Sequence, residues 1–453
     1  MMIKISITPE MSSKRNVGPL DKRKKLTRCQ PCAKRRIKCQ GGSPCEYCIR
    51  TKKTCLPQNN PVVKAKFVYT DSSQIMAHVT AKPDVTYLEF FSLFMRRCQF
   101  TRASADLASD LLPLIQTCAP LQEAAIAIGA LEASRRATVN FTSERQSPEI
   151  IALQSYGRSI RRLQAELDTL EASQCQGVLW CTLLLGLFDL MTQVSGDQWA
   201  KHMLYGTSRI VQTFGMTRPV NHLGKQFLAA FNWLEANRAI LYCEETILSQ
   251  GEWGCQYRYP TPPLTSQVDS IFELFLQVSS FSKFFFDCIE SIPESRRVYD
   301  TDISHLGCEG RAHQQRLQDW HSQYLGDTEY GDVYCKLELA ISHALQLLIC
   351  MNYTFYTCWD EVTIPRLNTS ETESHVSAIL CYAGQIVDSS IIPGLLMLFP
   401  LRMAGANTND RSQKDRILRL LERISQTGFI VSNRITVDLE EVWAYKALCS
   451  IGQ

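Results

Sequence analysis

A chain of 453 residues, 45% hydrophobic and 21% charged, has room for a small module and one or two large domains with a sizeable core. Its net charge of +3 hides an asymmetry: residues 1–60 hold 15 Lys/Arg against 3 Asp/Glu, whereas the remainder holds 33 against 42. Nineteen cysteines, an odd number, exclude a complete disulfide set, and the longest apolar run, Val178–Met191, falls short of the roughly twenty residues a membrane-spanning helix needs.

No secretory signal opens the chain, which therefore reads as intracellular and reduced, with no membrane partner. A basic head on an acidic body seeks a polyanion. Residues 1–21 are predicted to be a disordered tail. The run Lys22-Arg23-Lys24-Lys25, with Arg28, suits nuclear import and contact with phosphate.

Residues 22–58 form the most informative stretch. Cys29, Cys32, Cys39, Cys45, Cys48 and Cys55 follow the spacing C-x2-C-x6-C-x5-C-x2-C-x6-C, in which one unit, C-x2-C-x6-C, occurs twice. Zinc takes four ligands in a tetrahedron. Two zincs need eight donors, and six cysteines supply them only if two thiolates bridge both ions. The repeat makes Cys29 and Cys45 the equivalent pair, so they are the predicted bridges between two Zn2+ ions. RING- and LIM-type sites need eight ligands and usually a histidine, and the first histidine here is His78. A zinc ribbon needs a much longer gap between its CxxC pairs.

This spacing resembles the fungal binuclear zinc cluster of the Zn(2)-Cys(6) type at all six ligand positions. The resemblance implies a short helix after the second cysteine of each half, the first of them presenting basic residues to a CGG-like triplet in the major groove of double-stranded DNA. That segment is Ala33–Lys38. Arg35 and Arg36 stand where the family reads bases, and arginine can do so through guanine O6 and N7. Lys34 and Lys38 are placed to meet phosphate, with Arg28, Lys24 and Lys25 adding to them. Ala33 replaces a frequent basic residue and removes one such contact. The implied role is regulation of RNA polymerase II genes in the nucleus of a fungus.

Residues 59–83 are predicted to be a linker, marked by Pro61 and Pro83 and by Asp71-Ser72-Ser73, and they lack an apolar heptad. Self-association is therefore expected from the body, residues 84–453. The body reads as all-α. Leu153, Tyr156, Ile160, Leu163, Leu167 and Leu170 step by 3, 4, 3, 4, 3 and predict a helix with one apolar stripe. Val178–Leu190, apolar almost all round, predicts a buried central helix. Trp199, His202 and Gly206 fall on one helical face; tryptophan filling the core and glycine admitting a neighbouring helix is the favoured reading, and an effector pocket the other. These segments resemble the fungal-specific transcription factor domain that accompanies such clusters, over roughly residues 84–450. The resemblance also raises a small apolar metabolite as an effector of the body.

The thirteen cysteines outside the cluster, such as Cys175, Cys181, Cys350 and Cys381, are expected to be small buried hydrophobes. The acidic-hydrophobic stretches Asp269–Phe275 and Asp438–Trp443 are expected to be helix surfaces rather than activation surfaces. No dinucleotide, P-loop, nucleophile-elbow or HExxH signature occurs, so no enzymatic activity is predicted.

Overall fold

The computed structural model describes residues 29, 31–32, 44–56, 83–100, 107–136, 147–168, 176–214, 221–249, 270–294, 297, 301–327, 332–359, 362–389 and 391–451. The chain divides into two compact units, residues 1–80 and 81–453. Among the described residues there are helices and turns but no strand, so the protein is all-α. Most of the predicted linker lies outside the described residues.

Among the described residues of the first unit, Glu46–Arg50 form a short helix, α1, and Pro31 and Cys32 are helical as well. The second is built from α2 (Pro83–Met95), α3 (Leu107–Thr117), α4 (Ala119–Arg136), α5 (Pro148–Leu167), α6 (Gln176–Thr192), α7 (Asp197–Lys201), α8 (Ser208–Phe214), α9 (His222–Tyr242), α10 (Ile271–Ser291), α11 (Thr301–Asp327), α12 (Val333–Thr354), α13 (Thr369–Ser389), α14 (Leu398–Asn407), α15 (Arg411–Gln426) and α16 (Ser432–Ile451). A π-helical turn, His202–Thr207, joins α7 to α8.

Helix starts follow local chemistry. Ser147 caps α5 with Pro148 in its first turn, Asn221 caps α9, and Ser270 with Glu273 closes a capping box on α10. In each case a side-chain oxygen accepts a backbone N–H that the helix leaves without a partner.

Every residue of α6 from Gly177 to Met191 is buried, as its apolar composition predicts. Its one acid, Asp189, accepts a hydrogen bond from Tyr156 Oη at 2.8 Å, which satisfies a carboxylate that would otherwise be costly to bury. Around α6 pack α4, α5 and α9, and α4 also carries α2 and α3. Helices α10, α11, α13 and α14 pack on α12. Helix α12 is long and apolar enough to cross a membrane, but most of it is buried within this body.

Helix α5 carries the predicted stripe with one exception: Leu163 is buried and Tyr156, Ile160 and Leu167 pack against the core, but Leu153 is 60% exposed. Ala152, Ser155 and Ser159 are buried beside the stripe. The small side chains let α5 approach α4 closely, and Ser159 Oγ donates to Pro120 O at 2.7 Å. Leu170 lies outside the described residues. Close approach also governs α4: a Cβ on Gly129 would stand 1.9 Å from Tyr87 O of α2.

Helix α9 buries an ion pair. Arg238 and Glu235 on α9 are both 0% exposed, and the guanidinium donates twice to the carboxylate, from Nε and from an Nη, at 2.8 Å each. The same guanidinium also meets Glu244 and donates to Glu245 O at 2.7 Å.

Candidate metal centre

The first unit is organised around sulfur. Cys29, Cys32, Cys45 and Cys48 are buried, and their Sγ atoms all lie within 4.8 Å of one another. Cys29 is 3.7 Å from Cys45 and 3.6 Å from Cys48, and Cys32 is 3.6 Å from Cys45. Sulfurs about 2.3 Å from a tetrahedral zinc stand about 3.8 Å apart, so each of these pairs has a spacing that one ion can span.

Local structure explains how the second half of the repeat reaches this point. Cys45 is the residue before α1 and adopts an extended conformation, and Cys48 faces inward one turn later. Lys52 ends the helix at φ 50°, a left-handed conformation that a non-glycine residue rarely adopts. The reversal returns the chain to the cluster, where Cys55 Sγ accepts a hydrogen bond from Cys45 N at 3.4 Å. Burial and the neighbouring thiols hold the Cys48 thiol protonated, well above the usual cysteine range. A bound cation reverses that preference, because it is the thiolate that ligates.

Of the predicted residues, the structure thus brings together Cys29, Cys32, Cys45 and Cys48, and sets Cys55 beside them. Cys39, the base readers Arg35 and Arg36, and the phosphate residues Lys24, Lys25, Arg28, Lys34 and Lys38 lie outside the described residues. Sequence reasoning passed over Arg50, Lys52 and Lys53, which are exposed on and after α1. They fill the second x6 interval of the repeat, and that signal could have found them.

In the body, Trp199 is buried and His202 Nε2 lies 2.8 Å from Thr182 O. The packing reading of this face needs one correction. A Cβ on Gly206 would meet only the His202 ring at 3.9 Å, whereas Gly186 of α6 is the glycine that faces both His202 and Trp199. His202 and Gly206 lie within a π-helical turn and still face each other, as the 3.9 Å approach shows.

The cysteines of the body are more varied than expected. Cys181 and Cys350 are buried, Cys308 and Cys381 are exposed, and Cys175 lies outside the described residues. The two acidic-hydrophobic stretches are helix faces where they are described. Ile271, Phe272, Leu274 and Phe275 are buried in α10, while Asp438 pairs with Arg402 and Arg434 and Trp443 Nε1 donates to Gly405 O. A cleft of about 530 Å³ opens beside the C-terminal end of α12, lined by Cys350, Tyr353, Tyr356, Trp359, Arg366 and Asn407 among others.

No curated protein and no solved structure matches the chain. Residues 87–448 match the fungal specific transcription factor domain, a span that takes in nearly all of the second unit and leaves the cysteine cluster outside it. With four-fifths of its length in that match, the chain belongs to the fungal specific transcription factor domain family and is a regulator of transcription.

Proposed function

We propose that the chain is a nuclear, sequence-specific DNA-binding regulator of RNA polymerase II transcription, dedicated to one pathway and held on its promoters by a two-zinc, six-cysteine cluster. The six-cysteine repeat and its sulfur geometry carry this reading. If Cys29 and Cys45 bridge two ions, then Cys29 and Cys48 share one ion, Cys32 and Cys45 share the other, and Cys29 and Cys45 share both. The pairs at 3.6–3.7 Å fit that sharing and equally suit one ion among four sulfurs that all lie within 4.8 Å of one another; the second ion is drawn from the six-cysteine repeat. Cys55, already at the cluster edge, and Cys39 complete the two sets.

In this arrangement the metal supplies the folding energy of the module and fixes the orientation of its first helix. Arg35 and Arg36 then read guanine edges in the major groove, while Lys34, Lys38 and the 24–28 segment neutralise phosphates. The test is selection of bound sequences from random DNA by the full chain, followed by Arg35→Ala and Arg36→Ala on the selected site. Loss of a bidentate arginine contact should cost about 1–3 kcal/mol and relax preference at one base pair. Equal losses on matched and scrambled DNA from both variants would contradict these roles.

A second reading, that the body senses a small apolar metabolite, draws support from the cleft beside α12. Its volume lies within the range of about 300–1,000 Å³ typical of ligand sites, and aromatic walls with one cation and one amide suit an apolar molecule with a polar end. Solvent extraction of the purified chain with mass spectrometry tests it. A recovered ligand that is lost in Arg366→Ala supports the reading, and an empty extract opposes it.

A further inference from the structure

Three imidazoles from three helices meet in the body: His321 of α11, His343 of α12 and His375 of α13. The His343 ring lies 4.9 Å from His321 and 5.0 Å from His375, centroid to centroid, and both pairs are steeply inclined. The Nδ1 atoms of His343 and His375 are 2.8 Å apart. At that distance one nitrogen donates and the other accepts, so the pair shares a single proton. His343 is 9% exposed, whereas His321 and His375 are half-buried and give the cluster an opening.

This layer contains polar atoms that the protein leaves unsatisfied. His321 Nδ1 and Gln346 Oε1, the latter one turn along α12 from His343, are buried without hydrogen-bond partners. Buried polar atoms are nearly always paired, and an unpaired one marks a place for water or an ion. The surrounding groups do not fill the need. Glu371 is engaged by the Asn368 backbone N–H at 2.8 Å, Gln314 Nε2 donates to Cys350 Sγ at 3.5 Å, and Tyr382 offers its ring at 6.1 Å from His343. Burial, reinforced by the neighbouring imidazoles, pushes His343 down to about 3, and burial also lowers His321 and His375. Burial thus favours the neutral ring, the form in which imidazole ligates.

We propose that His321, His343 and His375 form a binding site in the helical body for a divalent first-row transition ion, with zinc as the occupant. Imidazole nitrogens held about 2.0–2.1 Å from one ion stand about 3.3 Å apart, so the His343 and His375 nitrogens, now 2.8 Å apart, need to part by about half an ångström to share one. The ion takes the place of the proton between these two Nδ1 atoms, and that proton moves by way of solvent to Nε2 of the same ring, so both imidazoles stay neutral. A turn of the His321 ring presents its unpaired nitrogen as the third ligand, and water entering by the open side is the fourth. Three neutral nitrogens select a borderline ion over calcium or magnesium, which prefer oxygen. Once bound, the ion ties α11, α12 and α13 together. Gln314 couples this layer to the cleft, since its Nε2 also lies 3.2 Å from Arg366 O.

The full-length chain and its His321→Ala/His375→Ala double variant are equilibrated with excess Zn2+ at neutral pH, desalted and analysed for zinc per chain. The site predicts one ion fewer in the variant. That difference is independent of the cysteine cluster, which both proteins retain, so this proposal and the two-zinc reading fail separately. His375→Gln, at a half-buried position, guards against a folding defect: helicity is checked by circular dichroism, and thermal unfolding of the body is followed with and without Zn2+. The midpoint should rise with zinc in the wild type and stay fixed in the variant. Equal zinc content and equal thermal response in all three proteins would overturn the proposal and leave a cluster of core histidines.

Discussion

The two units are held together by different means. In the first, the buried apolar nucleus among the described residues is four cysteines, with Tyr47 and Cys55 packed against them. So small a nucleus cannot offset the conformational entropy of ordering the chain, and modules of this size depend on metal or disulfides. The second unit has a continuous core running from Tyr87 to Leu439, within which Arg238 and Glu235 are buried as a pair. Removal of metal should therefore unfold one unit and spare the other; under the proposed function, DNA reading then depends on zinc.

The largest expected effect follows directly. Structural zinc contributes on the order of 10–16 kcal/mol to the folding of such modules near neutral pH. A strong chelator, or Cys29→Ala or Cys45→Ala, should abolish the ordered cluster and leave the far-ultraviolet helical signal almost unchanged. A large loss of helicity on chelation would break the contrast between the units.

Within the body the contrast sharpens at α9. Arg238→Ala leaves Glu235 buried and without its double hydrogen bond. Breaking a buried pair from one side costs about 3–5 kcal/mol. Urea unfolding should show a lowered midpoint of that size, whereas zinc content should match the wild type. An unshifted midpoint would mean that water reaches the pair.

The smallest effect concerns two leucines ten residues apart on α5. Leu163 is 7% exposed and Leu153 is 60% exposed. Leu163→Ala should cost about 2–5 kcal/mol as a core truncation. Leu153→Ala should stay within about 0.5 kcal/mol, as surface changes do. Equal costs would mean that Leu153 is buried with the rest of the stripe.

That pair of leucines also shows what the sequence could and could not reveal. Cysteine spacing was legible because ligand geometry constrains the residues directly, and α6 was legible because a helix apolar on every face has no solvent side. On α5, periodicity found the helix and most of its contact face but missed the small residues beside the stripe. Ala152, Ser155 and Ser159 carry little hydrophobic signal, yet their small size is what admits α4. At Trp199–Gly206 an unbroken α-helical period was assumed, and a π-helical turn stands in its second half. The histidine cluster had no sequence signal, because His321, His343 and His375 come from separate helices and meet only through tertiary packing. The basic residues of the second half-repeat were legible in principle, since they occupy intervals equivalent to Lys34–Lys38.

The central claim is that a zinc-held cysteine cluster reads DNA sequence for a helical regulatory body. Equilibrium binding of the full chain to a CGG-like triplet and to scrambled DNA tests it most directly, measured as purified, after chelation and after return of Zn2+. Discrimination between the two DNAs should vanish on chelation and return with zinc, while helicity stays constant throughout. A chelated chain that still discriminates, or a zinc-loaded chain that never does, would contradict the account.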